Sequence, residues 1–270
     1  MSDIVLSASV RSNLLQLQDT SNLIGSTQTR LATGKRVNSA LDNPNNFFTA
    51  QGLDNRANDL NNLLDQMSNG INTIQAANNG ISAITKLVQS AQSLVSQAQQ
   101  TSDTTTRASL STQFGAIRTQ IDQLAGDAGF NGTNLLNNQS LTITLNESAT
   151  SSTTVTGVTD TATGLSIGAA ANNWAAGADI TATGTALTAA LSTLRSQAQT
   201  LGSNLSVVQI RQDFTKATIS TLQTGSAALT LADSNQEGAN LLALQTRQQL
   251  STTALSLAAQ ADQNVLKLFQ

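Results

Sequence analysis

Apolar side chains return every three or four residues through most of this chain, and a single proline interrupts it. That spacing keeps one face of a helix dry, whereas a strand would need a period of two. Between residues 4 and 32 the seam runs through Val10, Leu14, Leu17, Ile24 and Leu31, with Ser21 and Gln28 as polar interruptions. The alternating steps are those of a coiled coil, on a helix roughly 43 Å long. Gly34 stands where a left-handed residue would cap its end, and residues 35–41 then read as a connector. At Asp42-Asn43-Pro44 a side-chain oxygen can cap free amides while proline fits a first helical turn, so a second helix starts there. Its apolar row continues from Leu60 to Ala98, and a third helix is expected from Asp103 to about Ala125.

Phe130-Asn131-Gly132 is a tight-turn signal, after which Leu141, Ile143 and Leu145 alternate with polar residues as a half-buried strand would. Residues 140–166 are dominated by Ser and Thr, and glycine is scattered on to Gly184, which reads as an exposed hairpin-and-loop middle. Helical spacing resumes at Leu187 and runs to Gly225. The fold class is therefore mainly α, with a small β-hairpin or loop region in the middle.

The last stretch, from about Asn240, carries two apolar rows. One holds Leu241, Leu244, Leu255 and Val265; the other holds Leu250, Leu257 and Leu268. One partner helix covers one row, so the second needs further neighbours, most simply other copies of the chain. Charged residues make up only 11% of the sequence, less than half the usual share. Neutral polar surfaces suit identical copies packed side by side, because like charges then do not meet.

The chemistry available is narrow. Without His or Cys there is no histidine base, thiolate nucleophile, disulfide or zinc finger. Gly34-Lys35 has Thr29 where a phosphate-binding loop needs its first glycine, and no lysine follows a serine by three residues. Asp54, Asp59 and Asp65 are spaced so that they scatter around a helix, which leaves no acid–base pair. No catalytic, cofactor-binding or metal-binding residue is expected. A net charge of −3 with no basic run argues against nucleic acid as a partner. No apolar run approaches a membrane span, and the first residues lack the pattern of a cleaved signal peptide.

The stretch Arg30-Leu31-Ala32-Thr33-Gly34-Lys35-Arg36-Val37-Asn38-Ser39-Ala40-Leu41-Asp42-Asn43 resembles the signature of bacterial flagellins at Arg30, Leu31, Gly34, Asn38, Ser39, Ala40 and Asp42. Asn69-Gly70-Ile71, the Phe130–Leu136 turn, Gln209-Ile210-Arg211 with Phe214, and the ending Gln263–Leu268 are similar to that family too. Asp233-Ser234-Asn235-Gln236-Glu237 departs from it by lacking an aspartate–aromatic–alanine run. The resemblance implies a structural subunit that is secreted through the flagellar type III channel and polymerises with itself into the extracellular flagellar filament. Its implied partners are further copies, an export chaperone, the filament cap and the hook–filament junction proteins. It also implies that the N- and C-terminal segments form one long antiparallel α-helical coiled coil or bundle, in three regions: an inner terminal-helix domain over 1–42 and 227–270, a helical bundle over 43–139 and 184–226, and a variable exposed region over 140–183. Two alternatives stand beside it: a hook–filament junction protein of the same family, and a non-polymerising coiled-coil binding module.

Overall fold

A computed structural model describes residues 8–268. In chain order it contains α1 (Ala8–Thr33), α2 (Pro44–Gln100), α3 (Thr104–Asp127), β1 (Leu141–Thr144), β2 (Ser152–Val155), α4 (Gly177–Thr230) and α5 (Ser234–Leu268). The fold is mainly α, with one two-stranded antiparallel sheet among the described residues. The chain forms two compact units. One takes residues up to Asn55 and from Thr221 onward; the other is Arg56–Ser220.

In the first unit α1 lies antiparallel to α5, since Arg30 near the end of α1 meets Glu237 in the first turn of α5. Gly34 adopts φ +66°, the left-handed cap that its position calls for. Asn43 Oδ1 accepts the Asn46 N–H at 3.0 Å and so caps α2. Asp233 Oδ1 does the same for α5, accepting the Asn235 and Gln236 N–H groups.

In the Arg56–Ser220 unit α2 contributes an unbroken seam that includes Ala57, Leu60, Leu63, Met67, Ile74, Ala77, Ile81, Ile84, Val88, Ala91, Val95 and Ala98, all buried. The helix is 57 residues long, and that seam supports it from Ala57 to Ala98. α4 runs antiparallel to it, as Gln92 meets Thr188 and Gln212 meets Ser68. Two glycines in the α2 seam mark close approaches. A Cβ on Gly70 would lie 2.5 Å from Ile143, and one on Gly80 would lie 2.6 Å from Ala128 and 2.7 Å from Leu136.

α3 begins at the N-cap Asp103, whose carboxylate accepts the Thr106 N–H at 2.7 Å. Asn134 closes its other end, donating to the Ala125 and Gly126 carbonyls at 2.8 Å each. Between these lies the expected tight turn: Asn131 and Gly132 both have positive φ, and Phe130 and Thr133 exchange two backbone hydrogen bonds. β1 then pairs with β2 in the register Leu141↔Val155 to Thr144↔Ser152, and Ile143 and Leu145 face inward as their alternation requires.

The 140–183 segment departs from the expected exposed region. Val155, Ala162, Leu165, Ile167, Trp174 and Ile180 are buried. The Ala162 N–H donates to Asp122, and Arg118 donates to the Ile167 carbonyl, which fastens this segment to α3. Trp174 packs against Phe114 of α3 in a tilted arrangement with ring centroids 5.1 Å apart. Widely spaced apolar residues suffice to anchor a loop, and they leave no periodic trace in a Ser/Thr-rich composition. α4 also starts ten residues before the first expected helical position.

Candidate assembly surface

The connector that carries the family-like signature is built from backbone groups. Gly34 O accepts the Ala232 N–H at 3.0 Å, Lys35 bridges Leu231, and the Arg36 and Val37 N–H groups both donate to Thr230 O. Val37 is buried, so the two connectors are stitched together over a small apolar contact. Asp42 organises the loop that follows. Its Oδ2 accepts the backbone N–H of Asn38 and of Ser39, each at 2.9 Å, and also the Ser39 hydroxyl. Those backbone donors hold the Asp42 carboxyl below its ordinary value. Asn38 Nδ2 returns a bond to Lys35 O. Arg30 reaches across to Glu237, 3.3 Å away, on the segment that lacks the family's aromatic run. Ala40 is half-buried in this loop, while Leu41 beside it is 96% exposed.

Between α1 and α5 the two rows separate. Leu241, Leu244, Gln248, Ser251, Leu255 and Ala258 form a half-buried row along α5. Opposite them α1 presents Val10, Asn13, Leu17, Thr20, Ile24, Thr27 and Leu31, with Val10, Thr20 and Thr27 buried. The polar members of the seam are thus Thr20 and Thr27, whereas Ser21 and Gln28 are exposed. Continuing the three–four alternation from Val10 and Leu17 reaches both threonines, so the signal was in the sequence. Leu14 lies at the seam's margin, 37% exposed.

The second row of α5 faces away from α1: Leu250 is 67% exposed and Leu257 is 62% exposed. Leu242, Leu15 and Leu23 add further exposed apolar surface to this helix pair. Val265 and Leu268 continue α5, but their side chains lie outside the described set. Gln209 and Arg211 belong to the other unit, exposed on α4 beside the exposed Val207, Ile210 and Phe214. The structure therefore gathers the connector residues and the inner rows, and leaves Leu250, Leu257, Gln209 and Arg211 on open surface. Among the described residues no cluster of acidic side chains fits a metal ion, and no helix is long and apolar enough to cross a membrane.

Two family models match the chain: the bacterial flagellin N-terminal helical region over residues 4–141, and the bacterial flagellin C-terminal helical region over residues 184–269. Flagellin A of Rhizobium meliloti (strain 1021) is 43% identical over 75 residues, covering 28% of this chain and 19% of that protein. Flagellin FljM of Caulobacter vibrioides is 32% identical over 163 residues, covering 60% of this chain and 59% of that one. The chain thus matches about a fifth of the length of the Rhizobium relative. A crystal structure of Bacillus cereus flagellin aligns at a TM-score of 0.48 with 20% identity, over 57% of this chain and 88% of that one.

Proposed function

This chain belongs to the bacterial flagellin family, a family of structural proteins and not of enzymes, and from that membership we propose that it polymerises with its own copies into a flagellar filament. The observation that carries this reading is the two-faced α5. Its inner row is half-buried against α1, yet Leu250 and Leu257 remain in solvent on the opposite side. Exposed leucines repeated along one helix face are the mark of a surface made to be covered. Side-by-side copies would cover it, and the low charge of the chain keeps their repulsion small. On this reading the protein works outside the cell as part of the swimming apparatus. By likeness to the family, its partners on this reading are further copies, an export chaperone, the filament cap and the hook–filament junction proteins.

The test is seeded assembly. Purified chain mixed with short filament fragments should pellet on centrifugation and show long filaments by electron microscopy. A hook–filament junction protein or a non-polymerising coiled-coil module would stay in the supernatant, and that result would overturn the proposal.

A further inference from the structure

The segment that folds back onto α3 encloses a carboxyl group that nothing in the assembly reading uses. Asp160 is 0% exposed, and neither of its carboxylate oxygens has a hydrogen-bond partner among the described residues. The side chain facing it is Gln197 of α4, whose own Oε1 is likewise buried and without a donor. Three buried oxygens are thus left without a hydrogen bond of good geometry, although the Gln197 side chain lies close enough to pull the Asp160 carboxyl down in part. A buried charge in that position would be costly unless a cation faced it.

Among the described residues no charged side chain acts on it. The turn beneath, residues 134–139, holds Asp160 by its N–H, which donates to Leu136 O at 3.0 Å, and carries no titratable side chain. From α3, Arg118 is committed to the Ile167 carbonyl and Asp122 to the Ala162 N–H. On α4, Arg195 stands two residues from Gln197 and is exposed. Gly157 packs on the Gln139 backbone and Gly164 on the Thr159 carbonyl, both too closely to admit a Cβ.

We propose that in mildly acidic solution folded Asp160 is a neutral carboxylic acid whose O–H donates to Gln197 Oε1, so that the Arg56–Ser220 unit takes up a proton from solvent when it folds there. The proton supplies the missing donor and satisfies two of the three orphaned oxygens at once. Burial pushes the Asp160 carboxyl up to about 6, from the ordinary 3.8, in the same direction. Because the folded value is the higher one, the stabilisation is complete below 3.8, drains away as pH rises to about 6, and is absent above it. Across that window the folding constant falls by about a hundredfold. The unit is therefore firmer in mildly acidic surroundings than in neutral ones, whether or not the chain polymerises.

Asp160→Asn separates this from its rival, an ionised Asp160 that accepts from the Gln197 amide. Denaturant unfolding of the unassembled full chain should show the variant more stable than wild type at about pH 7.5, with an advantage more than tenfold larger there than at about pH 4.5. A variant that is less stable at about pH 7.5, or a difference that ignores pH, overturns the proposal. Carbon-13 NMR of the wild-type carboxyl decides the matter even if the variant fails to fold. A titration midpoint near 6 supports the neutral acid, and one near 3.8 refutes it.

Discussion

Glycines and aspartates show how far a residue's meaning depends on what it touches. Gly80 and Gly115 both sit inside helices, where alanine is ordinarily preferred by about 0.5–1 kcal/mol. A Cβ on Gly115 meets nothing within 4 Å, so Gly115→Ala should stabilise by roughly that amount. Gly80→Ala should instead destabilise by about 1–3 kcal/mol, since the added methyl collides with Ala128 and the fully buried Leu136. Denaturant midpoints of the two variants should move in opposite directions, and a rise for both would show that the collision relaxes freely. Asp42 offers the reverse pH sign to Asp160. Its folded value lies below the ordinary 3.8, so its support for the connector is complete above that pH and lost as pH falls beneath it. Asp42→Ala should therefore weaken the chain at neutral pH, with the gap to wild type closing in acid. The sequence marked Asp42 twice, through the family signature and through the capping position. Its actual targets, the Asn38 and Ser39 amides, depend on a loop conformation that no spacing reveals.

At the scale of elements, legibility followed the regularity of burial. α2 ends at Gln100, where its expected apolar row runs out, because the seam repeats without a gap. α4 was readable only from Leu187, although it begins at Gly177. Its first turns are rich in Thr and Gly, which favour helix weakly. They are held by the fully buried Ile180 and by the Thr181 and Thr185 hydroxyls, which donate to the carbonyls four residues earlier. Tertiary contact overrode propensity there. The two faces of α5 were legible as an excess of leucine, and their division into inner and outer rows yields a prediction. Leu257→Asp should leave the unassembled chain as stable as wild type, since the side chain is already in solvent. If the outer row is covered on assembly, the same charge would cost several kcal/mol in the polymer. Sedimentation of seeded mixtures should then show the variant failing to pellet, and normal filaments would mean that this row stays uncovered.

For the molecule as a whole, the ends were easier to read than the middle, because long helices advertise themselves while anchored loops do not. Val155, Ile167 and Trp174 are separated by Ser, Thr and Gly, so no window of the sequence shows them as a core. The candidate surface divided the same way: the family pattern located the connector, but the Arg30–Glu237 pair joins residues 207 positions apart. Trp174 has a practical consequence. It is the sole tryptophan, there is no tyrosine, and its indole N–H donates to Thr183 within the Arg56–Ser220 unit. Intrinsic fluorescence therefore watches that unit alone, while the α1–α5 pair is optically dark. Emission should be blue-shifted in the native chain and redden only when the Arg56–Ser220 unit opens. A melt in which circular dichroism falls before the colour changes would time the loss of the terminal pair without any added label.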